Sequence, residues 1–476
     1  MIGALGTLGL EAHAVLAHGL LTLGATCFAG LAVGRILRAD ARPAAEPTLL
    51  GATALVIGLA FLSTGATARL LFPTVGTAAW LTACLGVLAL GAFATRRDRG
   101  STTGRLHAPP AVPGGVHRRR AFVALAIVGG AAAASIAVAR LVRAPDGAWD
   151  AFGFWNLRAR LFLRAPGDLA LGFSPEMAAT HPDYPLLIPG LVAFGGGLLG
   201  DGSTLPSAVV AALFGALAAV GLAGAVGPRR GREVAVVATL LFLAMPHVAR
   251  QVSWRYADVP LAALLVLACG WLASAHERPE GARSAVVFVG VLGSIAAWTK
   301  NEGIVVLGAL GASLVVRPPA GLPRRQALRR FAAGAAPMVA VLVAFKLALA
   351  PPNDLFEASS AGSVLDRLAR PSRIVMIAAA WLDEVVSTAR WNLLLPAVLL
   401  AAALGRVRGG ATTGVAVVVA SIAAAYVLVY VLTPHALPQH LDTSIERLQM
   451  HLVPALVLLA ALRVAPPVRR TRPPPS

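Results

Sequence analysis

The sequence predicts an all-α polytopic membrane protein of about thirteen helices, and three observations carry that prediction. The 476 residues are 57% hydrophobic, 13% are charged, and the mean hydropathy is +0.74. That is the composition of a membrane chain rather than of a large soluble enzyme. Apolar stretches long enough to cross a ~30 Å hydrocarbon core recur along the whole length. Between them fall basic clusters at 35–42, 96–120, 229–232, 317–330, 406–408 and 463–472, where cytoplasmic connectors concentrate Lys and Arg.

These clusters also answer the nucleic-acid reading that a net charge of +19 invites. Basic residues confined to connectors between apolar spans read as anchors on anionic headgroups, so membrane lipids are expected partners and nucleic acid is not. Cys27, Cys84 and Cys269 stand singly in apolar stretches, which excludes a CxxC metal site and a disulfide framework. The N-terminus lacks a basic n-region and a small-residue cleavage site, so the first apolar stretch reads as a retained span.

In chain order, spans near 10–34, 48–71 and 74–95 form an N-terminal extension over 1–95, followed by a Gly/Pro/Arg-rich cytoplasmic linker over 96–120. A seven-span module over 121–349 starts with an outward span at 121–142, which delivers a long external loop, 143–204. Spans near 205–227, 233–249, 259–275, 284–298, 303–316 and 331–349 then alternate in direction. A second external connector (350–390) leads to spans at 391–404, 411–432 and 448–464, completing the 350–464 region, and a Pro/Arg tail occupies 465–476. In this arrangement most basic residues are cytoplasmic and most carboxylates external. The rule concerns Lys and Arg, so the placing of the acids is independent information and assigns the polar machinery to the external face.

The loop at 143–204 carries six of the 22 acidic residues: Asp146, Asp150, Asp168, Glu176, Asp183 and Asp201. Residues 150–163 read as an amphipathic interfacial helix, with Phe154, Leu157, Leu161 and Phe162 near helical spacing. Asp150 stands at its N-cap or first turn, where capping alone would explain a carboxylate. Trp149, Phe152, Phe154 and Trp155 crowd around it, an apolar setting that tunes a carboxylate for general-base work. Asp146 is the second candidate, within a PDG turn signature.

His181-Pro-Asp183-Tyr184-Pro is a rigid, non-helical polar knot. His181 and Asp183 offer two donors to a divalent metal, short of a complete shell, so no metal or other cofactor is expected. Further external turns bring Arg255-Tyr256-Ala257-Asp258, Lys300-Asn301-Glu302-Gly303 and Glu446-Arg447 to membrane depth. Ionisable groups there must pair or line a cavity, with snorkelling to the interface as the plain alternative. Lys300 is one of two lysines in the chain. Its compact ammonium suits a phosphate, as does the guanidinium fork of Arg447.

The order of these motifs resembles that of the GT-C membrane glycosyltransferases, in the branch of protein O-mannosyltransferases and lipid A aminoarabinose transferases. Asp150-Ala-Phe-Gly-Phe is similar to the family's Asp-Glu-x-x-Tyr at the start of the first external loop. His181-Pro-Asp-Tyr-Pro-Leu is similar to its Tyr-Pro-Pro-Leu segment, and Thr299-Lys300-Asn301-Glu302-Gly303 to its Thr-Lys-Gly turn. The resemblance covers roughly 121–464, and it departs where the family's Glu is Ala151 and its Tyr is Phe154.

The resemblance implies a GT-C-like bundle in a bacterial-type inner membrane with its active site on the periplasmic face. It implies sugar transfer, with inversion, from a polyprenyl-phosphate-linked donor to a glycan, lipid or protein acceptor. Asp150 would be the base, and Lys300, Arg447, Arg158 and Arg255 would face the phosphate. His181, Asp183, Tyr184, Tyr256, Asp258 and Glu302 would complete the substrate site. The competing expectation is a secondary transporter or lipid flippase, which would show two similar halves and polar groups near mid-depth; no internal repeat is visible.

Overall fold

The computed structural model describes residues 47–71, 115–165, 169–200, 202–353, 366–367 and 369–466. The expected spans at 10–34 and 74–95, Cys27, Cys84, Asp168, Asp201, most of the 96–120 linker and nearly all of the tail lie outside the described residues.

All the regular structure described is helical. Helix α1 (Pro47–Leu71) and α2 (Gly115–Arg143) precede the loop. Within the loop, a π-helical turn (Ala151–Asn156) runs into α3 (Leu157–Arg164), followed by 3-10 turns at Leu169–Phe173 and Pro175–Thr180. The segment then departs from a purely polar connector: Leu187–Leu199 forms α4, buried along most of its length. The sequence LLIPGLVAFGGGLL is too short to span but apolar enough to dock. Gly190 makes that docking possible, because a Cβ there would stand 2.5 Å from Ser63 Oγ on α1, and Ser63 in turn donates to the Leu186 carbonyl (2.9 Å).

The bundle continues with α5 (Leu205–Arg230), α6 (Arg232–Leu243), α7 (Pro246–Trp254), α8 (Asp258–Glu277), α9 (Ala282–Ala297), α10 (Glu302–Val316) and α11 (Arg324–Ala348). The second connector, expected over 350–390, is itself partly helical: α12 (Pro371–Val386) lies within it and α13 (Thr388–Trp391) closes it, before α14 (Leu394–Leu404), α15 (Gly410–Leu432) and α16 (Leu437–Val464). Seven described helices are long and apolar enough to cross a membrane, or eight if one bent pair counts as a span. Helix α8 is apolar all round and lies at the centre, 94% of its apolar window buried, as such a helix must. Helix α11, with 22% buried, is peripheral.

Two expected boundaries change. The span at 233–249 is the pair α6 and α7, bent by 63°; Pro246 at the start of α7 cannot continue the hydrogen-bond ladder of α6. The span expected at 448–464 begins at Leu437, so Glu446 and Arg447 lie inside a continuous helix rather than in a turn.

The two ends of the bundle differ chemically. Arg229 and Arg230 at the end of α5 pair with Glu277 at the end of α8, and Arg230 Nε donates to the Leu462 carbonyl near the end of α16. The starts of α8 and α10 meet at the other end through Asp258 and Lys300.

Candidate active site

Asp258, the first residue of α8, is fully buried and gathers three partners. Lys300 Nζ donates to its Oδ1 at 3.0 Å, His451 Nε2 contacts the same oxygen at 2.7 Å, and Arg447 Nε donates to Oδ2 at 3.0 Å. Lys300 sits in the tight turn between α9 and α10. The turn closes because residue 303 is glycine: a Cβ there would fall 1.8 Å from the Ala296 carbonyl oxygen. Lys300 also pairs with Glu302 Oε1 (2.8 Å). It is buried and doubly paired, so the snorkelling reading fails for it.

Arg447 joins this cluster to the loop. Its second guanidinium nitrogen lies 2.6 Å from Asp150 Oδ2, and its guanidinium carbon stands 4.8 Å from the centre of the Tyr256 ring. Asp150 is buried and makes no side-chain capping bond to the helical turn it precedes. The capping explanation therefore gives way to the ion pair. Burial raises the Asp150 carboxyl above the ordinary aspartate value, with Arg447 and then Lys300 pulling the other way. The Tyr256 phenol beside it is pushed up to about 12, chiefly by burial. The result is a chain of alternating charge: Asp150, Arg447, Asp258, Lys300, Glu302.

Tyr184 forms the wall over Lys300, whose Nζ lies 5.9 Å from its ring centre. The ring is stacked between Trp155 (5.6 Å) and His181 (4.9 Å), with Phe154 edge-on to it (6.4 Å). Burial holds the Tyr184 phenol well above its usual range. Next to it, Asp183 accepts from Asn301 Nδ2 (2.6 Å) and Asn353 Nδ2 (2.8 Å). Lys346 Nζ donates to the Asp183 carbonyl (2.5 Å) and to Asn301 Oδ1 (2.9 Å). Asp183 thus fastens the loop to α11 and to the turn carrying Lys300.

Three expected site residues fall elsewhere. Asp146 pairs with Arg160 (3.4 Å) and is half-exposed; the turn at Gly147, at φ +79°, directs it outward from the cluster. Arg255 donates to the carbonyls of Pro145, Thr204, Leu141 and Ala144 and to Ser207 Oγ. Both terminal nitrogens are thereby committed to the end of α2 and the start of α5, a structural clamp rather than a phosphate ligand. Arg158 is buried in the loop, donating to the Thr180 carbonyl (3.1 Å) with its guanidinium over Phe173. Its own pKa is lowered by burial to about 10.

The sequence reading missed His451, whose other ring nitrogen meets the Tyr426 hydroxyl at 2.8 Å, and Lys346. Both carried a signal. His451 lies four residues after Arg447, on the same helical face, and Lys346 is the other lysine of the chain. Among the described residues, no three His, Cys, Asp or Glu side chains converge as a metal-binding group. A small crevice lies between the loop and α5, lined by residues that include Asn156, Arg160, Val192 and Ser207; none of the charged chain borders it.

No family model matches the chain, and no curated protein matches it. Among solved structures, the chain is similar to ArnT from Cupriavidus metallidurans bound to undecaprenyl phosphate, at a TM-score of 0.47 and 17% identity. The match covers 71% of this chain and 59% of that one, so this chain spans less than two thirds of the length of that protein.

Proposed function

We propose that the chain is a membrane glycosyltransferase that moves a sugar from a polyprenyl-phosphate-linked donor to an extracytoplasmic acceptor. The observation that carries this reading is the Asp150–Arg447 ion pair at the end of the buried chain through Asp258 to Lys300. It puts one carboxylate of raised pKa beside two side-chain-paired cations at the mouth of an apolar bundle. Arg447 and Lys300 are the groups that would hold a leaving phosphate, and preorganised cations in a dry site stabilise such charge well. A lipid phosphate that engages Arg447 takes its charge from Asp150 and frees that carboxylate. The acceptor hydroxyl oxygen then attacks the anomeric carbon from the face opposite the phosphate. The carbon–oxygen bond to phosphate breaks with its electron pair remaining on the polyprenyl phosphate, the hydroxyl proton passes to Asp150, and the centre inverts.

The positive-inside rule supports an extracytoplasmic site, because the arginine-rich end of the bundle is opposite to Asp258. The bend between α6 and α7 is a feature shared with transporters, whose broken helices line a substrate path. A transfer assay with purified protein and an undecaprenyl-phosphate-linked sugar separates the two readings. Loss of bond formation in Asp150→Asn, and of donor binding in Lys300→Ala and Arg447→Ala, is the expected result. Movement of substrate across vesicles with no bond made favours the transporter.

A further inference from the structure

Asp258 accepts from three side chains, and the chemistry above draws on two of them. Lys300 and Arg447 each have a second carboxylate as partner, Glu302 and Asp150. An incoming phosphate that draws the two cations to itself therefore leaves Asp258 as the group with least in reserve. Asp258 is fully buried, so water does not replace a departing donor, and a buried carboxylate stripped of its partners is costly. The third donor is His451. Its side chain is fully enclosed, whereas that of Arg447 is 14% exposed, so His451 stays with Asp258 when a phosphate arrives.

Several elements converge on this imidazole. Asp258 starts α8, Glu302 starts α10 just after Lys300, Tyr426 belongs to α15, and Arg447 lies one turn before His451 on α16. His451 Nε2 meets Asp258 Oδ1 at 2.7 Å, and Nδ1 meets the Tyr426 hydroxyl at 2.8 Å. A carboxylate paired with a lysine and an arginine is ionised and only accepts, so Nε2 carries a proton. In the neutral ring Nδ1 is then the acceptor and the Tyr426 hydroxyl the donor. Tyr426 is buried, and its ring stands edge-on to the imidazole with 5.8 Å between centres. Its hydroxyl thus fixes the tautomer that points an N–H at Asp258.

We infer that His451 is a positioning residue for phosphate binding: with Tyr426 setting its tautomer, it holds Asp258 in place while Lys300 and Arg447 turn to a lipid phosphate. This rests on the glycosyltransferase reading, which supplies the phosphate. His451 touches neither the substrate nor the reacting atoms. Its effect depends on the state of the site. In the unliganded protein Asp258 keeps two cationic partners without His451. In the lipid-bound protein it would keep only the favourable dipole at the start of α8.

The test titrates the full-length protein in detergent with undecaprenyl phosphate, reading the affinity and the rise in thermal midpoint that the lipid produces. The wild type should bind saturably. His451→Leu should weaken binding about tenfold, the effect of leaving a buried acceptor without its donor, and the lipid-induced rise in midpoint should shrink. His451→Gln, whose amide still donates, should recover affinity to within about threefold of the wild type. Tyr426→Phe keeps the imidazole but frees its tautomer, so its loss should be smaller than that of His451→Leu. A purely structural role lowers the midpoints of the unliganded variants and leaves both affinity and the lipid-induced rise unchanged; that result overturns the inference. So does a folded His451→Gln that binds no better than His451→Leu. Where His451→Leu does not fold, wild-type affinity in Tyr426→Phe overturns it instead. No saturable binding by the wild type overturns the glycosyltransferase reading and the inference together, whereas wild-type binding with equal affinity in the folded variants overturns the inference alone.

Discussion

The two ends of this bundle both bury arginines against carboxylates, yet the arginines do different things. At the basic end, Arg229 donates to the carbonyls of Ala225 and Gly270, and Arg230 to those of Arg229 and Leu462, with Glu277 shared between them. The Arg229 and Leu462 carbonyls belong to the last turns of α5 and α16, where backbone acceptors lack intrahelical donors and the dipole favours a cation; those of Ala225 and Gly270 lie further inside their helices. At the other end, the hydrogen-bond and ion-pair partners of Arg447 and Lys300 are the carboxylate side chains of Asp150, Asp258 and Glu302. A backbone carbonyl at a helix end needs its donor in every state of the protein. A carboxylate can give up its cation to another anion. Burial of charge alone does not distinguish a cap from a site; the kind of acceptor does.

The largest effect that would break this comparison is catalytic. Asp150→Asn should lower transfer by about 10²–10⁴-fold, the usual worth of a positioned base, while the thermal midpoint stays near that of the wild type. Wild-type turnover in this variant would remove Asp150 from the chemistry. Next, Asp258→Ala strands Arg447 and Lys300 without their common partner. Breaking a buried ion pair costs about 3–5 kcal/mol, so denaturant unfolding should report a loss of that order, together with lost donor binding.

Arg230→Met, at the basic end, should cost about 1–3 kcal/mol by leaving backbone acceptors unpaired, with transfer per folded molecule unchanged. A fall in turnover there would erase the contrast between the ends. The smallest effect is on pH dependence. On the proposed mechanism Asp150 would work ionised, and burial raises it above the ordinary aspartate value of 3.8, so the acid limb of kcat/KM should lie above that value. Arg447 favours the ionised form, so residual activity in Arg447→Met should show its acid limb at higher pH than the wild type. A limb that moves down, or stays, breaks the electrostatic link between the two.

Much of this was legible in residue order. The helices follow from apolar run length, and Asp150, Asp258, Lys300 and Arg447 could be singled out because ionisable groups in such runs need partners. Arg255 was misjudged because a guanidinium has the same sequence signature whether it holds a phosphate or the end of a helix. Asp146, in a PDG turn, pairs with Arg160 at the surface, a partner its turn signature does not reveal. His451 was missed because a lone histidine within an apolar helix is ordinary until its neighbours are known.

The sequence by itself determined the class of molecule and the segregation of charge, since the bilayer's thickness and the energy of an unpaired ion act on local composition. Which charges meet was decided by tertiary structure: Asp150 and Arg447 are almost three hundred residues apart, and no local rule pairs them. The glycines at 190 and 303 let helices approach closely enough to dock the loop and turn Lys300 inward. A carboxylate becomes a tuned base only once packing has removed water around it and set a cation alongside.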